Sequence, residues 1–315
     1  MMKRGRLISG TAAVGFVLAA AGVKAQDPQP PAATFRSSVD LVRVTAVVRD
    51  HKGRFVQDLT VRDFEVLDSG RSRPITEFRR DQAGVAVAVL FDVSGSMEGQ
   101  LASAREAATH VLSWLDPKLD EAAIFTFDTR LDVVTPFTTG LRTLPPAMSG
   151  VVPFGATSLH DAIAETARRV QTREGKRRAV VVLTDGNDNS SRLSPPQVSA
   201  IASEIDVPVY LFGIVSSIDN PSSELATNSS AQTALAGPLA DLAAWTGGHT
   251  FVASTPGQRS IAARQIIDEL RHQYLIAFEA SGVPGWHPLV VRARQRDLIV
   301  RARSGYMAGQ GNPSL

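Results

Sequence analysis

Hydrophobic positions follow two rhythms along this chain, and they change at Gly84. From Val39 to Val48 apolar and polar residues alternate in strand fashion, with β-branched residues on both faces. Asp50-His51-Lys52-Gly53 is a turn. Phe64–Leu67 and Ile75–Phe78 read as further short strands around Asp68-Ser69-Gly70. These strands are too few to hold a core alone and need a partner layer.

Beyond Gly84 the apolar runs become continuous. Val85–Phe91 (VAVAVLF), Ala179–Thr184 and Val207–Ile214 carry the pattern of strands buried on both faces of a parallel sheet. Helical periodicity fills the intervals. Glu98–Leu115 places Leu101, Ala104, Ala108, Val111 and Leu112 on one stripe, and Ser158–Arg173 does so with Leu159, Ile163, Ala167 and Val170. Ser194-Pro195 caps a third helix running to about Ile205, and Leu239–Trp245 and Gln258–Arg271 are two more. Ala122–Phe127 with Leu131–Phe137 predicts a hairpin, and His249–Val252 a last short strand. The alternation predicts a doubly wound, mostly parallel Rossmann-like α/β sheet over residues 84–271. Ser216–Gln232 interrupts it as a polar loop.

After Arg271 the strand rhythm returns at Tyr274–Glu279, Pro288–Arg294 and Leu298–Arg303. Residues 39–83 and 272–307 are therefore expected to form one small all-β sandwich with the α/β domain inserted between them. Residues 308–315 are a tail. If Pro288–Arg294 and Leu298–Arg303 pair as a hairpin, Arg292, Arg294, Arg301 and Arg303 share one face, by default a solvated one.

The N-terminus changes the meaning of the charge. Met1–Ala25 has a basic start (Lys3, Arg4, Arg6), an apolar small-residue run and Val23-Lys24-Ala25 at its end, the pattern of a signal peptide cleaved after Ala25. Gln26–Ser38 is a Pro- and Ala-rich linker. The expected location is secreted or periplasmic, with no stable membrane span after cleavage. Over all 315 residues the formal charge is +2, and loss of four basic residues with the leader turns it to −2. General polyanion binding loses its support, and the aromatics show no stacking stripe for nucleic acid. Cysteine is absent, which excludes disulfides, thiolate metal sites and a cysteine nucleophile.

Candidate chemistry gathers at three strand or loop ends. Asp92-x-Ser94-x-Ser96 follows the first buried strand, Gly155-Ala156-Thr157-Ser158 precedes a helix, and Thr184-Asp185-Gly186 ends the second buried strand. Open α/β sheets bind ligands at this carboxyl edge. Two carboxylates (Asp92, Asp185) and three hydroxyls (Ser94, Ser96, Thr157), with no nitrogen or sulfur donor, select a hard cation, Mg²⁺ or Mn²⁺. Gly95 and Gly155 are expected to let the backbone turn so that the hydroxyls face one ion. Helix N-termini after Ser96 and Thr157 add positive partial charge, and neutral hydroxyls leave the ion electron-poor. An open coordination position then favours a carboxylate brought by a partner.

These residues resemble the von Willebrand factor type A domain with its metal-ion-dependent adhesion site, over about Gly84–Arg271. The resemblance implies that Ser94, Ser96 and Thr157 ligate the ion directly, while Asp92 and Asp185 act largely through water or switch with ligand state. The flanks, Asp58-Leu59-Thr60 and Asp63-Phe64-Glu65-Val66 before and His272-Gln273-Tyr274-Leu275-Ile276 and Arg301-Ala302-Arg303-Ser304-Gly305-Tyr306 after, are similar to secreted bacterial proteins of this group. The function implied is a non-enzymatic, adhesion-type module that captures an Asp or Glu of a protein partner. Ser216–Gln232 and Asn187–Ser191 are candidate specificity loops.

Two other readings compete. One is an envelope scaffold whose metal only stabilises loops. The other is a hydrolase with an active site assembled from distant residues. An aspartyl-phosphate phosphatase centred on Asp92 fails because Ser94 stands where that chemistry wants a second carboxylate. The six histidines lack zinc spacing, and His160-Asp161 on its helix reads as a solvated pair.

Overall fold

A computed structural model describes residues 41–80, 84–173, 175–204, 206–215, 235 and 237–309. The signal-peptide and linker readings, the loop 216–232 and the last six residues of the tail lie outside the described residues. In chain order the strands and helices are β1 (Leu41–Asp50), β2 (Phe64–Asp68), β3 (Arg71–Arg73), β4 (Ile75–Arg79), β5 (Val85–Asp92), α1 (Leu101–Ser113), β6 (Glu121–Phe127), β7 (Leu131–Thr139), α2 (Leu159–Gln171) and β8 (Arg177–Thr184). They continue with α3 (Pro195–Glu204), β9 (Val209–Ile214), α4 (Pro238–Trp245), β10 (Thr250–Ala253), α5 (Pro256–Arg271), β11 (Gln273–Glu279), β12 (Gly285–Ala293), β13 (Leu298–Ala302) and β14 (Gly305–Ala308).

The continuous apolar runs build a six-stranded sheet in the order β10-β9-β8-β5-β6-β7. All neighbours are parallel except β6 and β7, the expected hairpin. Every residue of β5 is buried because both faces are covered. Val85, Val87, Val89 and Phe91 pack toward α1 and α5. Ala88 and Leu90 point the other way, into a layer with α2, α3 and α4. The fold is therefore the doubly wound α/β arrangement that the alternation predicts.

The flanking strands form two antiparallel four-stranded sheets, β13-β1-β11-β4 and β14-β12-β2-β3. Each contains strands from both ends of the chain, so neither end completes a sheet alone. Val42, Val44, Ala46 and Val48 of β1 meet Phe64 and Val66 of β2, Ile276 and Phe278 of β11, and Leu289 and Val291 of β12 in one core. The expected sandwich is present. Strands β3 and β14 extend it and went unpredicted, because Arg-Ser-Arg carries no apolar alternation and Gly305–Ala308 is a single short run.

The arginine hairpin does not form. β12 pairs with β2 and β14, whereas β13 crosses to the other sheet and pairs with β1. The four arginines are dispersed accordingly. Arg292 pairs with Glu65 at 2.8 Å, and Arg294 donates to the Arg62 carbonyl. Arg301 pairs with the buried Glu269, while Arg303 is itself buried and donates to the Arg43 carbonyl. Among the described residues no helix is long and apolar enough to cross a membrane.

Candidate metal centre

Asp92 is the last residue of β5 and is fully buried. Its Oδ1 accepts hydrogen bonds from the Ser94 N–H (3.0 Å) and the Ser94 hydroxyl (2.6 Å). Its Oδ2 accepts one from Thr184 Oγ1 at 2.7 Å. Thr184 closes β8, the neighbouring strand, so parallel pairing sets the carboxylate and its hydroxyl donor side by side. The Ser94 and Ser96 hydroxyls lie 3.1 Å apart, Ser94 buried and Ser96 exposed to solvent. Two strand ends and one side-chain pair thus assemble three of the five predicted residues.

Thr157 arrives from a loop held on several sides. The Gly95 N–H donates to the Gly155 carbonyl at 3.0 Å, and the Phe154 N–H donates to the Val93 carbonyl at 2.8 Å. Gly155 has φ +87°, a conformation that glycine alone adopts without strain. Gly95 has no positive φ. A Cβ there would stand 3.4 Å from the Gly155 carbonyl oxygen, an ordinary contact, so the space does not demand glycine either. The expectation for Gly155 holds, whereas Gly95 sits in a 3₁₀ turn with a backbone that does not require glycine.

Several residues that position this rim went unrecognised in the sequence. Asn189 Oδ1 accepts the Thr157 N–H at 2.9 Å, and the N–H groups of Asn189 and Ser190 donate to the Thr157 carbonyl. Asp188 pairs with His160 at 2.9 Å, accepts the His160 N–H, and takes the Ser191 hydroxyl at 2.6 Å. His160 is therefore partnered across loops and not with Asp161, whose carboxylate receives the Arg192 and Leu193 N–H groups. The polar run Asn187–Ser191 was the available signal, but the 32 residues between Thr157 and Asn189 hide the pairing. This run is stitched to the α2 loop and acts as a brace.

The helix contribution also shifts. The segment after Ser94 is a 3₁₀ turn, Gly95–Met97, and α1 starts only at Leu101. Its dipole therefore begins well beyond Ser96 and contributes less there than expected, because the effect fades within one turn. Helix α2 starts at Leu159, directly after Ser158, so the positive end near Thr157 is retained.

Burial pushes Asp92 above the ordinary carboxylate range, and the negative charge of Asp185 adds to that push. The hydrogen bonds from Ser94 and Thr184 oppose it without overcoming it. Asp185 is buried too, and its Oδ1 accepts the Asn187 N–H at 3.1 Å. Among the described residues neither carboxylate has an ion pair with a basic side chain, the nearest such pair at the rim being His160–Asp188. No group of three or more His, Cys, Asp or Glu stands ready for a metal among the described residues. The donor set is two carboxylates with hydroxyls. It fits a divalent cation, which would neutralise the carboxylates and find oxygen ligands of the hard type.

The hydrolase reading has one arrangement to answer for. In the sandwich, Asp68 Oδ1 lies 3.0 Å from His287 Nδ1, and Ser281 Oγ lies 3.2 Å from His287 Nε2. Ser281 Oγ is equally 3.2 Å from Nδ1, which sets it over the ring face and not in line with either nitrogen. Nε2 already meets the Val283 carbonyl at 2.7 Å. A base that must receive a serine proton needs that nitrogen free and aligned. The cluster is structural.

Residues 87–187 match the von Willebrand factor type A domain family. No curated protein matches the chain. Among solved structures, an aerotolerance-related membrane protein from Bacteroides fragilis NCTC 9343 is 18% identical, over 59% of this chain and 98% of its own, with a TM-score of 0.48. A von Willebrand factor type A protein from Catenulispora acidiphila is 11% identical, over 87% of this chain and 76% of its own, with a TM-score of 0.46. The manganese-loaded TRAP protein of Plasmodium vivax is 15% identical, over 72% of this chain and 96% of its own, with a TM-score of 0.41.

Proposed function

We propose that this chain, which carries a von Willebrand factor type A domain, is an exported binding module that holds Mg²⁺ or Mn²⁺ at Asp92, Ser94, Ser96, Thr157 and Asp185. The ion supplies an electrostatic anchor for an Asp or Glu side chain of a protein partner. Export rests on the signal-peptide pattern of residues 1–25. The observation that carries the metal is the pair of buried carboxylates, Asp92 and Asp185, facing each other's charge at a rim of hydroxyls with no described basic partner.

The rim divides the work. Ser94, Ser96 and Thr157 offer neutral oxygens that leave the ion's charge largely unquenched. Asp92 and Asp185 balance that charge, and Thr184 fixes which way Asp92 faces. Ser96 is exposed, so the ion would be reachable from outside. Hydrogen bonds among Thr157, Asn189, Asp188 and His160 tie the loops of the rim together. The exposed rim is what supports a binding role, and in the scaffold reading the metal would serve only to stabilise the loops. Nothing in this arrangement asks for a nucleophile or general base.

The test uses the mature chain immobilised beside Asp92→Ala, exposed to envelope extract in Mg²⁺ or in EDTA. Proteins retained by wild type in Mg²⁺, and lost with EDTA and with the variant, support the reading. Retention indifferent to both treatments contradicts it. A rise in Tm with Mg²⁺ alongside metal-independent retention supports the scaffold instead.

A further inference from the structure

The loop that delivers Thr157 also carries two apolar side chains into solvent. Val152 and Phe154 are 77% and 80% exposed, above every other large hydrophobic residue described. Their neighbours Val151 and Pro153 are half-buried, so the segment alternates like a strand, and Val151 rests on the core beneath. This exposure is not the fraying of a loose loop. Arg105 Nη2 donates to the Val151 carbonyl at 2.8 Å, the Phe154 N–H donates to the Val93 carbonyl at 2.8 Å, and the Gly95 N–H donates to the Gly155 carbonyl at 3.0 Å. The backbone is clamped on both sides of Phe154 while its ring is held outward.

The surroundings fit an interface. Gly95, Ser96, Gly155, Asn187, Asn189 and Ser190 are exposed around the rim, all small or neutral. An aromatic side chain on a rigid loop, with mostly small polar neighbours and the Asp128 carboxylate beside Gly155, is the kind of exposed anchor that protein-binding centres use. Phe154 stands three residues from Thr157, which limits their Cα separation to about 10 Å. An extended partner segment spans that distance in roughly three residues, and its side chains return to one face every second residue.

We infer that Val152 and Phe154 form an apolar ledge beside the metal, and that the partner segment it fits is an extended peptide stretch bearing Asp or Glu with a bulky apolar residue two or three positions away. This rests on the metal-bridge reading above and adds to it the second determinant of the partner. The metal takes the acid, and the ledge takes the apolar neighbour. Because the clamps are main-chain bonds and a half-buried arginine of α1, the ledge is preformed, and binding does not have to order it.

A random linear peptide display library, selected on immobilised protein in Mg²⁺, tests this. Wild type is compared with the double variant Val152→Ser/Phe154→Ser and with Asp92→Ala. The two serine replacements lie at exposed positions, and an unchanged Mg²⁺-dependent rise in Tm verifies that fold and metal site persist. Wild type should enrich peptides with an acid and an apolar residue two or three positions from it. The ledge variant should keep the acid and lose the apolar preference. A synthetic wild-type consensus peptide should bind the ledge variant about tenfold more weakly, the effect of one lost apolar contact. Enrichment of an acid with no apolar neighbour on wild type overturns the ledge and leaves the metal bridge standing. The same apolar preference on the ledge variant also overturns it. Absence of any acid preference on wild type overturns both.

Discussion

Replacing Thr184 by valine isolates the orientation of Asp92. The side chain is fully buried, and valine puts a methyl where the hydroxyl stands, so the change removes hydrogen bonds without opening a cavity. Two bonds go. One is the 2.7 Å donation to Asp92 Oδ2, a bond to a charged acceptor worth roughly 1.5–3 kcal/mol. The other is the 3.0 Å bond from the Gly186 N–H, which is half-exposed and can turn to water, leaving a loss of about 0.5–1 kcal/mol. Thr184→Val should therefore destabilise the chain by about 2–4 kcal/mol in equilibrium urea unfolding in EDTA. Thr184→Ser keeps the hydroxyl and deletes one methyl, so its loss should be about 1 kcal/mol. The metal response is the second readout. Burial already pushes Asp92 upward, and removing a donor to its ionised form pushes it further, so added Mg²⁺ should restore less stability to the valine variant than to wild type. If valine lies within about 0.5 kcal/mol of wild type, with the same Mg²⁺ increment, Thr184 does not hold the carboxylate and the reasoning is wrong.

Other consequences are more local. Asn189→Ala removes the acceptor of the buried Thr157 N–H and should cost about 1 kcal/mol while weakening Mg²⁺ affinity, as read by calorimetry. Gly248→Ala would place a Cβ 2.0 Å from the Val209 carbonyl oxygen, so the turn after α4 must part from β9, and a loss above about 3 kcal/mol is expected in thermal unfolding. Burial pushes Asp68 upward, but hydrogen bonds from His287, Arg73 and Tyr306 outweigh it and hold the group below its ordinary value of 3.8. That contribution to stability is complete above pH 3.8 and is lost as the pH falls through the lower folded value. Asp68→Asn should flatten the fall of stability with pH in this acid window, and an unchanged slope would show that Asp68 does not set it.

How much of this was legible depends on how local each determinant is. Val85–Phe91 announces a doubly covered strand by composition alone, because both faces must be apolar. The grouping of Asp92, Ser94 and Ser96 is legible for the same reason: they are neighbours in sequence, and each of the other two elements of the proposed site is a compact loop signal. What the sequence hides is pairing across distance. Thr184 was visible only as a strand end, and its bond to Asp92 spans 92 residues. The link between Asn189 and Thr157 depends on two loops meeting. The arginine hairpin failed on topology, since nothing local in Arg294–Asp297 says that the chain leaves one sheet for the other. Helix α1 begins at Leu101, the first residue of its apolar stripe, and not at Glu98, because a separate 3₁₀ turn over Gly95–Met97 precedes it.

The central claim is that one divalent ion sits among Asp92, Ser94, Ser96, Thr157 and Asp185. Mn²⁺ reports on this directly, because its electron paramagnetic resonance signal separates free from bound ion in a titration of metal-free protein. Wild type should bind one Mn²⁺ per chain, displaceable by Mg²⁺. Asp92→Ala should abolish that binding, and Ser96→Ala should weaken it with the fold intact. Absence of saturable binding by wild type, or equal binding by wild type and Asp92→Ala, would contradict the account.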